Sequence, residues 1–162
     1  AVRTAVLLGY TGEFLDDIRL GAELHDIGKI GTRESVLNKP GPLTPEEFRH
    51  ITEHTVLGER ILAPLARDRP VVLRIARSHH ERLDGTGFPD GLAGEAIPVE
   101  ARIVAVVDAF DAMTTNRAYR ESFVPGSAFD ELRRCAGLQF EPAIVDAFCT
   151  AFPDPARLPI HA

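Results

Sequence analysis

Residues 99–115 read VEARIVAVVDAFDAMTT, and from Ile103 to Val107 every position is apolar. A helix that is apolar all round has no face to offer water, so it belongs in the middle of a bundle. Asp108 follows directly and is expected to have no exposed face. Charged side chains are almost never fully buried without a partner. The stretch therefore predicts an all-α bundle with a carboxylate inside it that needs a counter-charge or a metal.

Working outward, almost every flanking segment also reads as helix. EFLDDIRLGAELHDIG (13–28) carries Phe14, Leu15, Ile18, Ala22 and His25 at helical spacing, with Gly28 expected to end it. In TPEEF (44–48), Thr44 is the expected N-cap, Pro45 the first helical residue and Glu47 the closing member of a capping box. That helix is expected to run through His50, His54 and Leu57 towards Leu65. RPVVLRIARSHHE (69–81) places Val72, Ile75, Ala76 and His79 on one side. The next fifteen residues, DGTGFPDGLAGEAIP (84–98), hold four Gly and two Pro and read as a loop. SAFDELRRCAG and EPAIVDAFCTAF supply a final helical pair, and AVRTAVLLG at the start reads as the tail of a helix already under way.

Composition narrows the function classes. With 162 residues, 44% apolar and 26% charged, the chain is that of one ordinary globular domain. No apolar run reaches the ~18–20 residues of a membrane span, and no signal peptide opens the sequence. Cys135 and Cys149 have no metal-type spacing and are expected to be reduced thiols in a cytoplasmic protein. The net charge of −6 argues against binding a nucleic-acid polymer or a membrane surface. Lysine occurs only at Lys29 and Lys39, both near HDIGKIG.

The chemistry-bearing residues fall at helix ends and interiors: His25-Asp26, His54, His79-His80 and Asp108. A single histidine near a helix end is usually an ordinary one, and His50 and His161 are expected to be of that kind, facing solvent. The others form a conjunction that chance does not readily produce. Histidine and aspartate together favour Mn, Fe, Co, Ni or Zn over Ca. Adjacent His79 and His80 diverge by roughly 100° on a regular helix, so both can serve one site only where the backbone turns. Lys29, one helical turn after Asp26, should face the same cleft.

In order, LHDIGKIG, NKPGPLTPEEF, HTVLGERIL, SHHERLDGTGFPDGL, IPVEARIVAVVDAFDAMTTNRAYR and GLQFEP resemble the HD-GYP family, a branch of the HD superfamily, over nearly the whole chain. The resemblance implies a single HD-GYP domain over 1–162, lacking the start of its first helix and any upstream sensory or receiver domain. It implies metal-dependent hydrolysis of the 3′–5′ phosphodiester of cyclic di-GMP to pGpG and possibly GMP, in bacterial signalling. Two divalent transition metals are implied, Fe or Mn first and Ni, Co or Zn as alternatives. Asp26 would bridge them, with His25 and Asp108 on the first and His54, His79 and His80 on the second. Lys29, Arg117 and Arg120 would contact substrate phosphate, and Asp111 would orient Arg117 or a water.

Two departures from the family pattern stand out. Gly87-Phe88-Pro89 replaces Gly-Tyr-Pro, which removes one hydroxyl and its hydrogen bond, about 0.5–1.5 kcal/mol net, and leaves a ring for stacking. That loop is also where a signalling partner would dock. A further family histidine, sometimes with a glutamate on which a third metal depends, lies in the family some thirty residues before the HD pair. No His occurs before His25, so it either precedes Ala1 or is lacking in this protein. Two rival readings remain: a non-hydrolytic module that binds cyclic di-GMP or metal, and a phosphodiesterase for another cyclic dinucleotide.

Overall fold

The structure, a computed structural model, describes residues 1–115 and 124–153. Among them the chain is helical throughout and contains no strand: α1 (Val2–Leu7), α2 (Glu13–Leu24), α3 (Glu34–Leu37), α4 (Pro45–Thr52), α5 (His54–Leu62), α6 (Pro70–Ser78), α7 (Val99–Thr114), α8 (Pro125–Cys135) and α9 (Pro142–Ala151). Short 3₁₀ segments lie at Ile27–Gly31 and Gly94–Ala96. No helix among the described residues is long and apolar enough to cross a membrane.

α7 lies at the centre, as its sequence requires. Ile103, Val104, Val106 and Phe110 are buried in one core with Ile18 of α2, Ile75 of α6, Phe129 and Leu132 of α8, and Ile144, Val145 and Phe148 of α9. The rings of Phe110, Phe129 and Phe148 meet at centroid distances of 5.1–5.7 Å, within the range where aromatic pairs attract beyond their area burial. Leu62, Ala66, Val72 and Ala76 form a smaller cluster where α5 and α6 pack. Arg74 bonds the buried Glu100 at 2.5 Å, so the acid that opens α7 is paired where it is buried.

Three local expectations are corrected. Gly28 does not cap α2. The α-helix ends at Leu24, His25 and Asp26 form the turn, and the chain continues as the 3₁₀ segment. Gly28 is needed there for another reason: a Cβ would stand 1.9 Å from the His54 carbonyl oxygen and 2.6 Å from the Gly58 nitrogen. The absent side chain lets the segment lie directly on α5.

The helix begun at Thr44 is two helices, broken at Glu53. Its start follows expectation, since Thr44 and Glu47 form a complete capping box with Pro45 at the first position. Glu47 also holds Lys39 at 2.6 Å, tying the Pro/Gly loop to the cap. His50 is half-buried rather than solvent-facing, and its Nε2 accepts the Arg33 backbone N–H at 3.1 Å. Cys135 and Cys149 are free thiols, and burial pushes both above the usual thiol range.

Candidate metal centre

Five of the six chemistry-bearing residues sit at a helix end. His25 and Asp26 follow the last turn of α2, His54 opens α5, and His79 and His80 follow the last turn of α6. Asp108 comes from the middle of α7. Its carboxylate is 28% exposed, which corrects the expectation of full burial. Ala105, one turn before it, and Ala109, directly after it, line the same cavity as Asp108 and are too small to close that face.

Asp26 is the hub. Its Oδ2 lies 3.4 Å from His25 Nε2, and its Oδ1 lies 3.3 Å from His54 Nε2 and 3.7 Å from His79 Nε2. His25 Nε2 is also 3.6 Å from Asp108 Oδ1. Asp26, His54, His79 and His80 each offer one ligand atom, all within 4.8 Å of one another. The side chains thus form two overlapping sets that share Asp26.

Backbone carbonyls orient the imidazoles. His25 Nδ1 bonds Ala22 O at 2.7 Å, His54 Nδ1 bonds Ile51 O at 2.6 Å, and His79 Nδ1 bonds Ile75 O at 3.0 Å. A ring that donates from Nδ1 in its neutral form keeps its lone pair on Nε2, and all three Nε2 atoms face Asp26. The adjacency of His79 and His80 is resolved by the end of α6. Past Ser78 the backbone turns, and the two rings lie 4.1 Å apart on the same side.

Electrostatics separate the two sets. Burial, followed by the neighbouring histidines, pushes His79 and His80 below the usual imidazole range. Both are therefore neutral and able to ligate near pH 7. Burial also works against charge on His25, but the neighbouring carboxylates of Asp108 and Asp26 overcome it and raise His25 to about 10. Asp26 is held well below the carboxylate range: burial opposes this, and His25, His54, His79 and Lys29 outweigh it. Two carboxylates thus keep a positive charge between them, where a metal would supply one.

The donor set fits a divalent metal. His25 Nε2 and Asp26 Oδ1 are buried polar atoms with no hydrogen-bond partner among the described residues, and such atoms are costly unless satisfied. Both point into the cluster. Imidazole nitrogen and carboxylate oxygen suit a transition ion.

The other expected residues are placed as follows. Lys29 Nζ is 2.5 Å from Asp26 Oδ2, on the side expected; in a 3₁₀ segment residues i and i+3 eclipse. Asp111 is exposed on α7, three residues after Asp108. Arg117, Arg120 and His161 lie outside the described residues. The Phe88 ring is 4.8 Å from His80 and 6.1 Å from Phe48, so it faces the centre.

Sequence reading missed the groups that fix the Gly/Pro loop. Glu81, only 4% exposed, accepts the backbone N–H groups of Asp90 at 2.8 Å and Leu92 at 3.0 Å. Arg77 binds Asp90 through two nitrogens at 2.7 and 2.8 Å and Glu59 at 2.6 Å. The signal was an acid directly after the paired histidines, at the end of an apolar helix face.

A family model described as HD domain matches residues 1–144. The chain is 43% identical over 150 residues to a cyclic di-GMP phosphodiesterase of Thermotoga maritima, covering 90% of this chain and 40% of the relative. It is 46% identical over 141 residues to a cyclic di-GMP phosphodiesterase response regulator of Xanthomonas campestris pv. campestris, covering 86% and 37%. The chain thus spans about 40% of the length of these relatives. A crystal structure of a cyclic GMP-AMP specific phosphodiesterase of V. cholerae superposes with a TM-score of 0.72 at 20% identity, covering 95% of this chain and 42% of that one. This last likeness concerns the fold.

Proposed function

The chain belongs to the HD domain family, in its HD-GYP branch, and from that premise we propose that it hydrolyses the 3′–5′ phosphodiester of cyclic di-GMP with two divalent transition metals. The observation that carries this reading is the convergence of three Nε2 atoms on Asp26, with Asp108 and His80 alongside. Fe or Mn suits the mixed nitrogen and oxygen donors, with Ni, Co or Zn as alternatives.

His25, Asp26 and Asp108 would hold one ion, and Asp26, His54, His79 and His80 the other. When bound, such a pair would lower the pKa of a coordinated water and neutralise phosphate oxygens. The chain's own groups do the rest. The carbonyl-locked imidazoles keep their lone pairs aimed inward without reorganisation. Lys29, already beside Asp26, offers its ammonium to a non-bridging oxygen of the diester. Water adds across the P–O3′ bond, which gives linear pGpG, and a second round gives GMP.

Product chromatography after incubating metal-loaded protein with cyclic di-GMP tests the reading. Appearance of pGpG, suppressed by a chelator, is expected; unchanged substrate contradicts it and favours a binding module. A Vibrio cholerae relative named as a 3′3′-cGAMP-specific phosphodiesterase, 37% identical over 145 residues, makes a mixed cyclic dinucleotide the second reading, and faster turnover of that substrate in the same assay would select it.

A further inference from the structure

The candidate centre opens on one side into a cavity that His79, His80 and Asp108 also line. This cavity has a volume of about 220 Å³ and lies between α7, the Gly/Pro loop and the turn before α9, with His80 and Asp108 on one wall and Phe88 and Gln139 on others. None of the roles assigned above uses Gln139. Its backbone is held firmly: Leu83 N bonds Gln139 O at 3.3 Å, and Asp84 N bonds Leu138 O at 2.9 Å. The turn itself closes through Gly137 N to Phe140 O at 2.8 Å. Gly137 takes the left-handed conformation this needs, at φ 84°.

The half-buried Gln139 amide makes no side-chain hydrogen bond among the described residues. It therefore presents a donor and an acceptor side by side at the edge of a preformed space. Ala105 and Ala109 leave that space open on the α7 side. The Phe88 ring supplies an aromatic wall.

We propose that this cavity is a purine-base subsite, in which Gln139 hydrogen-bonds the edge of the base and Phe88 packs against its face. The chemistry selects the ligand class. A planar heterocycle whose edge carries adjacent donor and acceptor atoms matches a carboxamide held in plane, and an aromatic side chain stacks on any base. A sugar or a simple phosphate offers neither feature. The inference rests on the reading of the centre as a cyclic dinucleotide phosphodiesterase. It adds that base recognition occurs on the His80–Asp108 side of the cluster.

The test compares Gln139→Leu and Phe88→Leu with wild type on cyclic di-GMP, 3′3′-cyclic GMP-AMP and bis-p-nitrophenyl phosphate, a diester without a base edge. Binding of linear pGpG is measured in parallel by calorimetry. For Gln139→Leu, kcat/KM on the dinucleotides should fall at least tenfold further than on bis-p-nitrophenyl phosphate, and pGpG affinity should weaken about tenfold, the range for one bidentate base contact. Phe88→Leu should raise KM on the dinucleotides, with Phe88→Tyr restoring it. Equal losses on all three substrates, or unchanged pGpG affinity, would overturn the subsite while leaving the phosphodiesterase reading intact. Wild-type protein that hydrolyses none of the diesters would overturn both.

Discussion

Asp26 touches more of the site than any other side chain described, and its neighbours show why the cluster needs cations. His25, His54, His79 and Lys29 all approach its two oxygens. Lys29 is the mobile member, because its four-carbon stem lets the ammonium move from carboxylate to phosphate. Lys29→Ala should therefore leave metal content unchanged and lower kcat/KM on cyclic di-GMP by roughly 10²-fold, the scale of losing one anion-stabilising donor. Steady-state kinetics alongside metal analysis checks this, and a loss of metal would move Lys29 from substrate contact to structural support. The candidate ligand residues stood out in the sequence because histidine and aspartate at apolar helix ends or inside an apolar helix are costly without a purpose. Glu81 was not legible, because its partners are backbone N–H groups of Asp90 and Leu92, which carry no mark of residue type. Gln139 was equally hidden, its place being set by main-chain bonds to a loop more than fifty residues earlier in the sequence.

The elements matter most where they stop. The capping box at Thr44 was readable because its spacing is local. The change from α2 to a 3₁₀ segment was not, because the spacing of apolar residues in this stretch suits both helices. What forces the change is the approach of Gly28 to α5, a contact between distant parts of the chain. Gly28→Ala would drive a methyl into the His54 carbonyl and displace the segment that carries Lys29. It should cost about 1–3 kcal/mol or more, as overpacking against backbone does, measured by chemical denaturation, with metal affinity falling as well.

The cap has its own pH signature. The Lys39 ammonium, followed by the Thr44 backbone N–H, lowers Glu47 from 4.5 to about 2. A depressed acid stabilises the fold above its unfolded pKa, so this contribution is whole above pH 4.5 and is lost as pH falls towards 2. Lys39→Met should move the Glu47 carboxyl titration upward, followed by carbon-13 NMR. An unmoved midpoint would show that the ion pair does not form.

For the whole molecule, an all-α bundle around α7 follows from one apolar stretch, and the buried Ile103, Val104, Val106 and Phe110 agree with it. What that stretch did not show is that α7 has one open side. Ala105, Asp108 and Ala109 line the 220 Å³ cavity, while α2, α6, α8 and α9 pack on the other faces of α7. Periodicity counts apolar positions and does not distinguish a small residue against a core from a small residue beside a cleft. The fold therefore brings six side chains from four separate stretches together, and the account depends on their holding metal through one shared carboxylate. The most direct test is metal stoichiometry by elemental analysis on wild type and Asp26→Ala, both confirmed folded by circular dichroism, with cyclic di-GMP turnover measured on the same samples. The account predicts two ions per wild-type chain, with loss of bound metal and of turnover in the variant. An Asp26→Ala protein that kept wild-type metal content and rate would contradict it.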